Sequence, residues 1–350
     1  MTEKSARNRN NINEKLLEYR NGIRVSGTDL WLDARNPKLL SFVSHAHSDH
    51  LARHDAIIGT KPTLRFCREK TDFRNALEVP YKQPFSLGEL MIELFPAGHM
   101  LGAAQILIRL PDSRGGVTIG YTGDFSMVPS LTADPAEQMK CDILIIESTF
   151  GKPQYVFPPK EEVLAGLNKI IEETIIKGRT PVIIAYPLGK SQETIKYLES
   201  KGHQVCAYKS VWDYCRIYEE LGVHFHNLRR FDGETRHGDV IVIPHNADRK
   251  KALRDVANPK LIAVTGWALD PAARYRFGVE EAIPLSDHAD FNGLVSYAIA
   301  SQAKKILVTH GFTGEFAKSL QERGLDAVPM VQPRQLELKF AGDAIQDNVI

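Results

Sequence analysis

Between residues 45 and 50 the chain places three histidines and an aspartate, in the run Ser44-His45-Ala46-His47-Ser48-Asp49-His50. Imidazole nitrogens and carboxylate oxygens are the ligands that zinc and similar divalent ions select. The run lies directly behind an apolar stretch, Leu39-Leu40-Ser41-Phe42-Val43, which reads as a buried strand. A loop leaving a rigid strand can aim alternate side chains at two neighbouring cations. The competing reading is a polar surface loop with incidental histidines, and the spacing argues against it.

Four ligands do not complete two metal sites, so other strand ends must supply the rest. Phe95-Pro96-Ala97-Gly98-His99 follows the strand-like run Leu90 to Phe95 and sets a histidine beside glycine, where the backbone can turn tightly. Thr122-Gly123-Asp124 ends another apolar run, and its carboxylate could bridge two cations. Ile306-Leu307-Val308-Thr309-His310-Gly311 repeats the construction: apolar strand, then ligand, then glycine. Taken alone, His99 or His310 reads equally as a hydrogen-bonded structural histidine. With the first cluster in view, each reads as a ligand.

These residues together resemble the metallo-β-lactamase fold and, within it, the β-CASP nuclease branch. His45, His47, Asp49 and His50, His99 in AGHMLGA and Asp124 in YTGDFS carry the fold-level likeness. Glu147 in ESTFG, His288 in LSDHADF and His310 in VTHG carry the nuclease-branch likeness. The stretches ESTFGKPQYVFPP, AYPLGKSQ and GWALDPAARYRFGVEEAIPLSDHADF are most similar to ligase-associated DNA exonucleases, more than to Artemis or the polyadenylation endonuclease. The likeness extends from about Gly22 to about Pro329.

The resemblance implies two divalent cations, zinc or alternatively manganese. One would take His45, His47, His99 and a shared Asp124; the other would take Asp49, His50, Asp124 and His310. A metal-bound hydroxide would attack phosphorus, and Asp49 counts among the catalytic residues through its metal. His288, left without a metal, becomes the general acid, with Glu147 holding its proton. Asp33 matches the branch's first acidic position and would orient a ligand histidine; it reads equally as a plain turn aspartate. Ser148 and Thr149 offer hydroxyls to a phosphate, and Lys190 sits in Gly189-Lys190-Ser191 before a helix, resembling a phosphate-binding helix start.

The elements that must position these groups are legible from periodicity. Asp29–Asp33, Leu39–Ser44, Leu90–Phe95, Ala104–Leu110, Val117–Tyr121 and Cys141–Glu147 read as short strands. A helix is predicted from Lys160 to Lys177, between Pro159 and Gly178, with a second at Ser191–Ser200. Further strands are predicted at Pro181–Tyr186, Gln204–Tyr208, Val240–Pro244 and Lys260–Thr265. This alternation implies a mostly parallel α/β unit. Because His310 must return to the first cluster, that unit is an insertion. The predicted fold class is α/β, and the resemblance implies an αββα metallo-β-lactamase sandwich (residues 13–151 and 285–350) with an inserted β-CASP cap (152–284). Residues 1–12 read as a flexible N-terminus.

Composition bounds the partners. The 350 residues are 43% hydrophobic and 25% charged, with a formal net charge of +1. That balance gives no broad basic field, so a nucleic-acid ligand needs a local one. Arg274 and Arg276, and also Arg229-Arg230 and Arg249-Lys250-Lys251 with Arg254, are the candidates; clusters of this kind are commonly solvated surface. Tyr155, Phe157, Trp212, Trp267 and Tyr275 could stack bases or serve as core. The four cysteines form no CxxC pair and read as free thiols. No apolar run reaches membrane-spanning length and the N-terminus has no signal core, so a cytoplasmic protein is expected. The reading is a DNA exonuclease of end processing or repair, with nucleic acid as partner and a functional association with a DNA ligase. An RNA endo- or exonuclease similar to mRNA 3′-end processing factors is the alternative. A small-molecule metallo-hydrolase gives no role to Glu147 and His288, and a non-catalytic subunit would have lost ligands that are all present here.

Overall fold

The computed structural model describes residues 16–330, so the expectation for residues 1–12 lies outside the described residues. The first sheet has six short strands in chain order: β1 (Leu17–Tyr19), β2 (Ile23–Val25), β3 (Leu30–Leu32), β4 (Leu40–Phe42), β5 (Ala56–Gly59) and β6 (Asn75–Glu78). Helix α1 (Lys61–Arg68) begins after Thr60, whose hydroxyl accepts from the Thr63 amide as an N-cap. The second sheet starts with β7 (Phe85–Leu87), β8 (Leu90–Pro96), β9 (Ala104–Arg109), β10 (Thr118–Tyr121) and β11 (Ile143–Ser148).

Pro159 then caps α2 (Lys160–Ile176), and Val163, Leu164, Leu167 and Ile171 form its buried stripe, as the spacing predicts. The third sheet is built from β12 (Thr180–Ala185), β13 (Gln204–Ala207), β14 (Leu228–Arg230), β15 (Asp239–Pro244), β16 (Pro259–Val264) and β17 (Glu281–Ile283). Helices α3 (Lys190–Ser200), α4 (Lys209–Glu220), α5 (Arg249–Ala252) and α6 (Ala273–Phe277) lie between them. Its order is β14-β13-β15-β12-β16-β17, and every neighbouring pair is parallel. The chain continues through α7 (Phe291–Ala300) to β18 (Lys305–Gly311), then α8 (Thr313–Gln321) and β19 (Ala327–Pro329). Here β18 pairs with β11, so the second sheet is completed by strands from beyond the third.

Leu30, Leu32 and Phe42 of the first sheet pack on Ile92, Ile106, Ile119 and Ile143 of the second, so these sheets share one buried face. Each such side chain contributes roughly 1.5–3 kcal/mol by leaving water. The outer face of the second sheet, with Leu144, Ile146, Ile306 and Val308, belongs to a larger cluster that also holds Ile183, Val242 and Val264 of the third. The third sheet therefore docks through the same apolar core. Alternate residues Val182, Ile184, Ile241 and Ile243 point to its opposite face, as a two-residue period requires.

Strand direction explains where the chemistry gathers. β10, β11 and β18 are parallel, and β8 runs the same way because both β8 and β10 are antiparallel to β9. The C-terminal ends of these strands, of β4, and of β12, β15, β16 and β17 of the third sheet meet around one cleft of about 470 Å³. Ligands in open α/β sheets characteristically bind outside the carboxyl ends of strands.

Candidate metal centre and cleft

His45, His47 and His50 leave β4 in a buried loop, while the Asp49 side chain remains exposed. Gly123 takes φ +55 just before Asp124, and a Cβ there would lie 2.6 Å from Ser44 Cβ, so the Asp124 turn can lie against the His45 loop only as glycine. Gly98, at φ +76, permits the same closeness before His99: a Cβ would meet the Ser126 carbonyl oxygen at 2.1 Å. Glu147 opposes Thr309 and Ser148 opposes Gly311 across β11 and β18, so His310 is the extra residue of a β-bulge, at φ +54. Bulges re-aim side chains next to active sites, and this one stacks the His310 ring on His50 at 4.9 Å.

Four sets of groups have ligand atoms within 4.8 Å of one another: His45, His47 and His99; His45, His50 and Asp124; Asp49, His50 and His310; and His99, Asp124 and His288. Asp124 thus stands beside both His45 and His50. All seven sequence-predicted ligands come together.

Hydrogen bonding on the outer nitrogens fixes the tautomers. His47 Nε2 donates to the Leu188 carbonyl at 3.0 Å, and His99 Nδ1 donates to the Asp287 carbonyl at 2.9 Å. Ser44 Oγ gives its hydrogen to Asp33 Oδ2 at 2.6 Å, so at 3.0 Å from His45 Nδ1 it accepts. His50 Nδ1 donates to Asp33 Oδ2 at 2.8 Å. Asp33 also receives the Ser44 amide and the Tyr121 hydroxyl, both at 2.7 Å.

A lone pair is consequently left inward on the His45, His47 and His99 rings. His47 Nδ1 and His99 Nε2 face each other at 3.1 Å, two acceptors with nothing to donate between them. His45 Nε2 and Asp124 Oδ1 are buried without a hydrogen-bond partner among the described residues, and His50 Nε2 faces Asp124 Oδ2 at 3.2 Å. Such orphaned polar atoms are costly. A cation resolves them, because Zn–N bonds of about 2.0–2.1 Å let both facing nitrogens reach one ion. The donor set therefore fits divalent metal.

Protonation agrees. Burial lowers His47 to about 3 and also lowers His45, His99 and His310, keeping them in the neutral form that binds metal. At His50 burial pulls the same way, but Asp124 and Asp33 override it and hold a proton that a cation would replace. His288 is different. Burial opposes its charge, yet the Glu147 carboxylate, 3.1 Å from Nδ1, raises it to about 9. Glu147 is itself fixed by the amides of Phe125 at 2.9 Å and Thr149 at 3.3 Å.

Among the substrate candidates, Thr149 and Lys190 line the cleft, the latter ion-paired to Asp287. Ser148 is corrected: it is fully buried, and its hydroxyl donates to the backbone carbonyls of Thr309 and His310 because the bulge turns it inward. Arg274 lines a shallow depression with Tyr275 and Glu280 outside the cleft, and Arg276 leans over Phe277 and Trp267. Tyr155 is core, Trp212 packs against core, Trp267 lines the cleft and Tyr275 is 93% exposed. Sequence reasoning missed the Leu188 and Asp287 carbonyls, which no residue type announces. It also missed Tyr186 and His245, whose rings stack at 5.0 Å in the cleft.

No family model matches the chain. Over 324 residues it is 37% identical to a probable DNA ligase of Opitutus terrae, covering 92% of this chain and 32% of that protein. It is 25% identical to the DNA cross-link repair 1A protein of Gallus gallus, covering 81% and 31%, and 36% identical to the endoribonuclease ysh1 of Aspergillus fumigatus, covering 35% and 14%. The chain is related to the metallo-β-lactamase/β-CASP nucleases. Its matches span about a third or less of each of these three relatives. A crystal structure of a protein of unknown function from Enterococcus faecalis shares the fold at TM-score 0.54 and 14% identity, over 84% of this chain and 79% of that one. All four cysteines are buried and free, and no described helix is long and apolar enough to cross a membrane.

Proposed function

We propose that the chain is a metal-dependent nuclease, a DNA exonuclease of end processing or repair, acting on nucleic acid in functional association with a DNA ligase. In this reading residues 13–151 and 285–350 are an αββα metallo-β-lactamase sandwich and residues 152–284 an inserted β-CASP cap. The observation that carries it is the His288–Glu147 pair, an imidazole held 3.1 Å from a buried carboxylate beside the histidine cluster in a cleft walled by the third sheet. A small-molecule hydrolase needs neither that pair nor that wall.

His45, His47, His99 and Asp124 would hold one divalent ion, and Asp49, His50, Asp124 and His310 the other; zinc suits the donors and manganese is the alternative. Bound there, the ions supply Lewis acidity for a phosphoryl oxygen and an acidified water. The residues do the remainder. With Nδ1 taken by Glu147, His288 presents its other nitrogen, Nε2, which lies 4.0 Å from Asp287 Oδ1, as the position that delivers a proton to the departing oxygen. Glu147 keeps that proton in place at neutral pH, and Asp33 locks the His45 and His50 rings. Thr149 and Lys190 line the path a phosphate would follow.

The relative named as an endoribonuclease supports RNA as the second reading, and the histidine at position 310 does not discriminate between the two. End-labelled single- and double-stranded DNA and RNA, digested with zinc or manganese by the wild type and His288→Ala, test the proposal. Stepwise loss of nucleotides from DNA that depends on His288 is the expected result. Faster cleavage of RNA moves the assignment to the alternative, and no cleavage of either by metal-loaded protein rejects it.

A further inference from the structure

The two carbonyls that orient His47 and His99 do not belong to the sheets that carry those histidines. Leu188 follows β12 and Asp287 follows β17, so both come from the carboxyl edge of the third sheet. His45 and His50, in contrast, are oriented through Asp33 and Ser44 of the first sheet. The ligand set thus divides by what holds it.

The Leu188 and Asp287 segments are tied to each other by the Lys190–Asp287 ion pair, whose side chains are 10% and 6% exposed. On the Leu188 side, Gly189 N–H donates to Gln192 Oε1 at 2.7 Å, Gln192 Nε2 donates to the Pro187 carbonyl at 3.0 Å, and Ser191 Oγ donates to the Tyr186 carbonyl at 2.7 Å. The first turn of α3 therefore holds the loop rigidly, and Lys190 extends that rigidity to Asp287. Without the ammonium, Asp287 would be a buried carboxylate with no compensating charge of comparable closeness, which a chain avoids by moving it. Moving Asp287 moves its carbonyl from His99.

We propose that the Lys190–Asp287 pair sets the metal affinity of the His45–His47–His99 site selectively, by fixing the carbonyls that hold His47 and His99 with their lone pairs inward. The inference rests on the metal reading above and deepens it: the third sheet is part of the metal site's scaffold as well as a wall. Lys190 and Asp287 are positioning residues. Removing partners that orient metal-bound histidines costs about 10–100-fold in affinity, and here the loss falls on one ion of two. The Asp49–His50–His310 group keeps Asp33 and is spared.

The test is a graded chelator titration of full-length protein loaded with zinc, for the wild type, Lys190→Met, Lys190→Arg and Asp287→Asn. It is paired with imidazole nitrogen spectra of the metal-free chains, which read tautomers without any metal. Wild type is expected to hold two ions, with His47 protonated on Nε2 and His99 on Nδ1. Lys190→Met is expected to release one ion at about 10–100-fold lower chelator strength and keep the other, and to mix the His47 and His99 tautomers while His50 is unchanged. Lys190→Arg restores both. Equal weakening of both ions, or unmixed tautomers in Lys190→Met, overturns the inference. Should Lys190→Met fold poorly, Asp287→Asn, which keeps the side chain's shape, is expected to show the same selective release and mixed tautomers, and their absence there overturns the inference equally. A wild type that binds no zinc at all refutes the metal reading, and the tautomer spectra then still decide whether the pair orients the rings.

Discussion

His288 Nδ1 lies 3.1 and 3.2 Å from the two carboxylate oxygens of Glu147, from which it is separated by 141 positions in the chain. Glu147 faces this imidazole while its carboxylate also accepts from the Phe125 and Thr149 amides. Replacing His288 by alanine should lower kcat by about 10²–10⁴-fold, the usual contribution of a positioned acid. Zinc content should change little, while the unfolding midpoint should fall, because the buried Glu147 carboxylate loses its partner. Steady-state cleavage rates alongside metal analysis check this.

Glu147→Gln keeps the shape of the pair and removes the charge. In the wild type the imidazole stays protonated up to about 9, so activity requiring the acid is lost as pH rises through that value. The variant should lose its alkaline limb at lower pH, nearer the ordinary histidine value of 6.5. Stability follows the same sign: a histidine raised from 6.5 to about 9 contributes fully below 6.5, and the contribution fades as pH climbs through 9. Urea midpoints of metal-free wild type should therefore fall between pH 6.5 and about 9 more than those of Glu147→Gln.

Asp33→Ala strands the Ser44 amide, the Tyr121 hydroxyl and the His50 Nδ1 hydrogen, all in buried surroundings. Each unsatisfied group costs about 1–3 kcal/mol, so a loss of about 3 kcal/mol or more is expected by urea unfolding. Zinc affinity should fall mainly at the Asp49–His50–His310 group, read by chelator competition.

Glycine replacements separate strain from propensity. Gly123→Ala meets Ser44 and forces a left-handed conformation that costs roughly 1–2 kcal/mol even without the clash. It should lower the thermal midpoint and impair metal binding. Gly166→Ala, mid-helix in α2 with nothing within 4 Å, should raise stability by about 0.5–1 kcal/mol. Calorimetry on the two variants measures both.

The clustered histidines and aspartates were legible because each sits where an apolar run stops, a pattern fixed by the need to bury strands and expose polar groups at their ends. The helix at Lys160–Ile176 and strands such as β12 and β15 were legible for the same reason: their periods are unbroken. By contrast β6, all four residues exposed, carries no apolar signal and exists through its pairing with β5. Ser148 misled because its position beside Glu147 suggests an open hydroxyl, whereas a bulge set by the partner strand decides its direction. The carbonyl orienters were invisible in principle, since every residue has one.

Pairing of β18 with β11 has a temporal consequence. Ser148 and His310 touch although 162 positions separate them, so a ribosome must release the entire third sheet before His310 can join the histidine cluster. Until then the nascent chain carries a half-built second sheet with an open edge at β11, an arrangement that slows assembly and exposes strands to wrong partners. Translation order thus makes the complete histidine–carboxylate cluster a late acquisition of this chain.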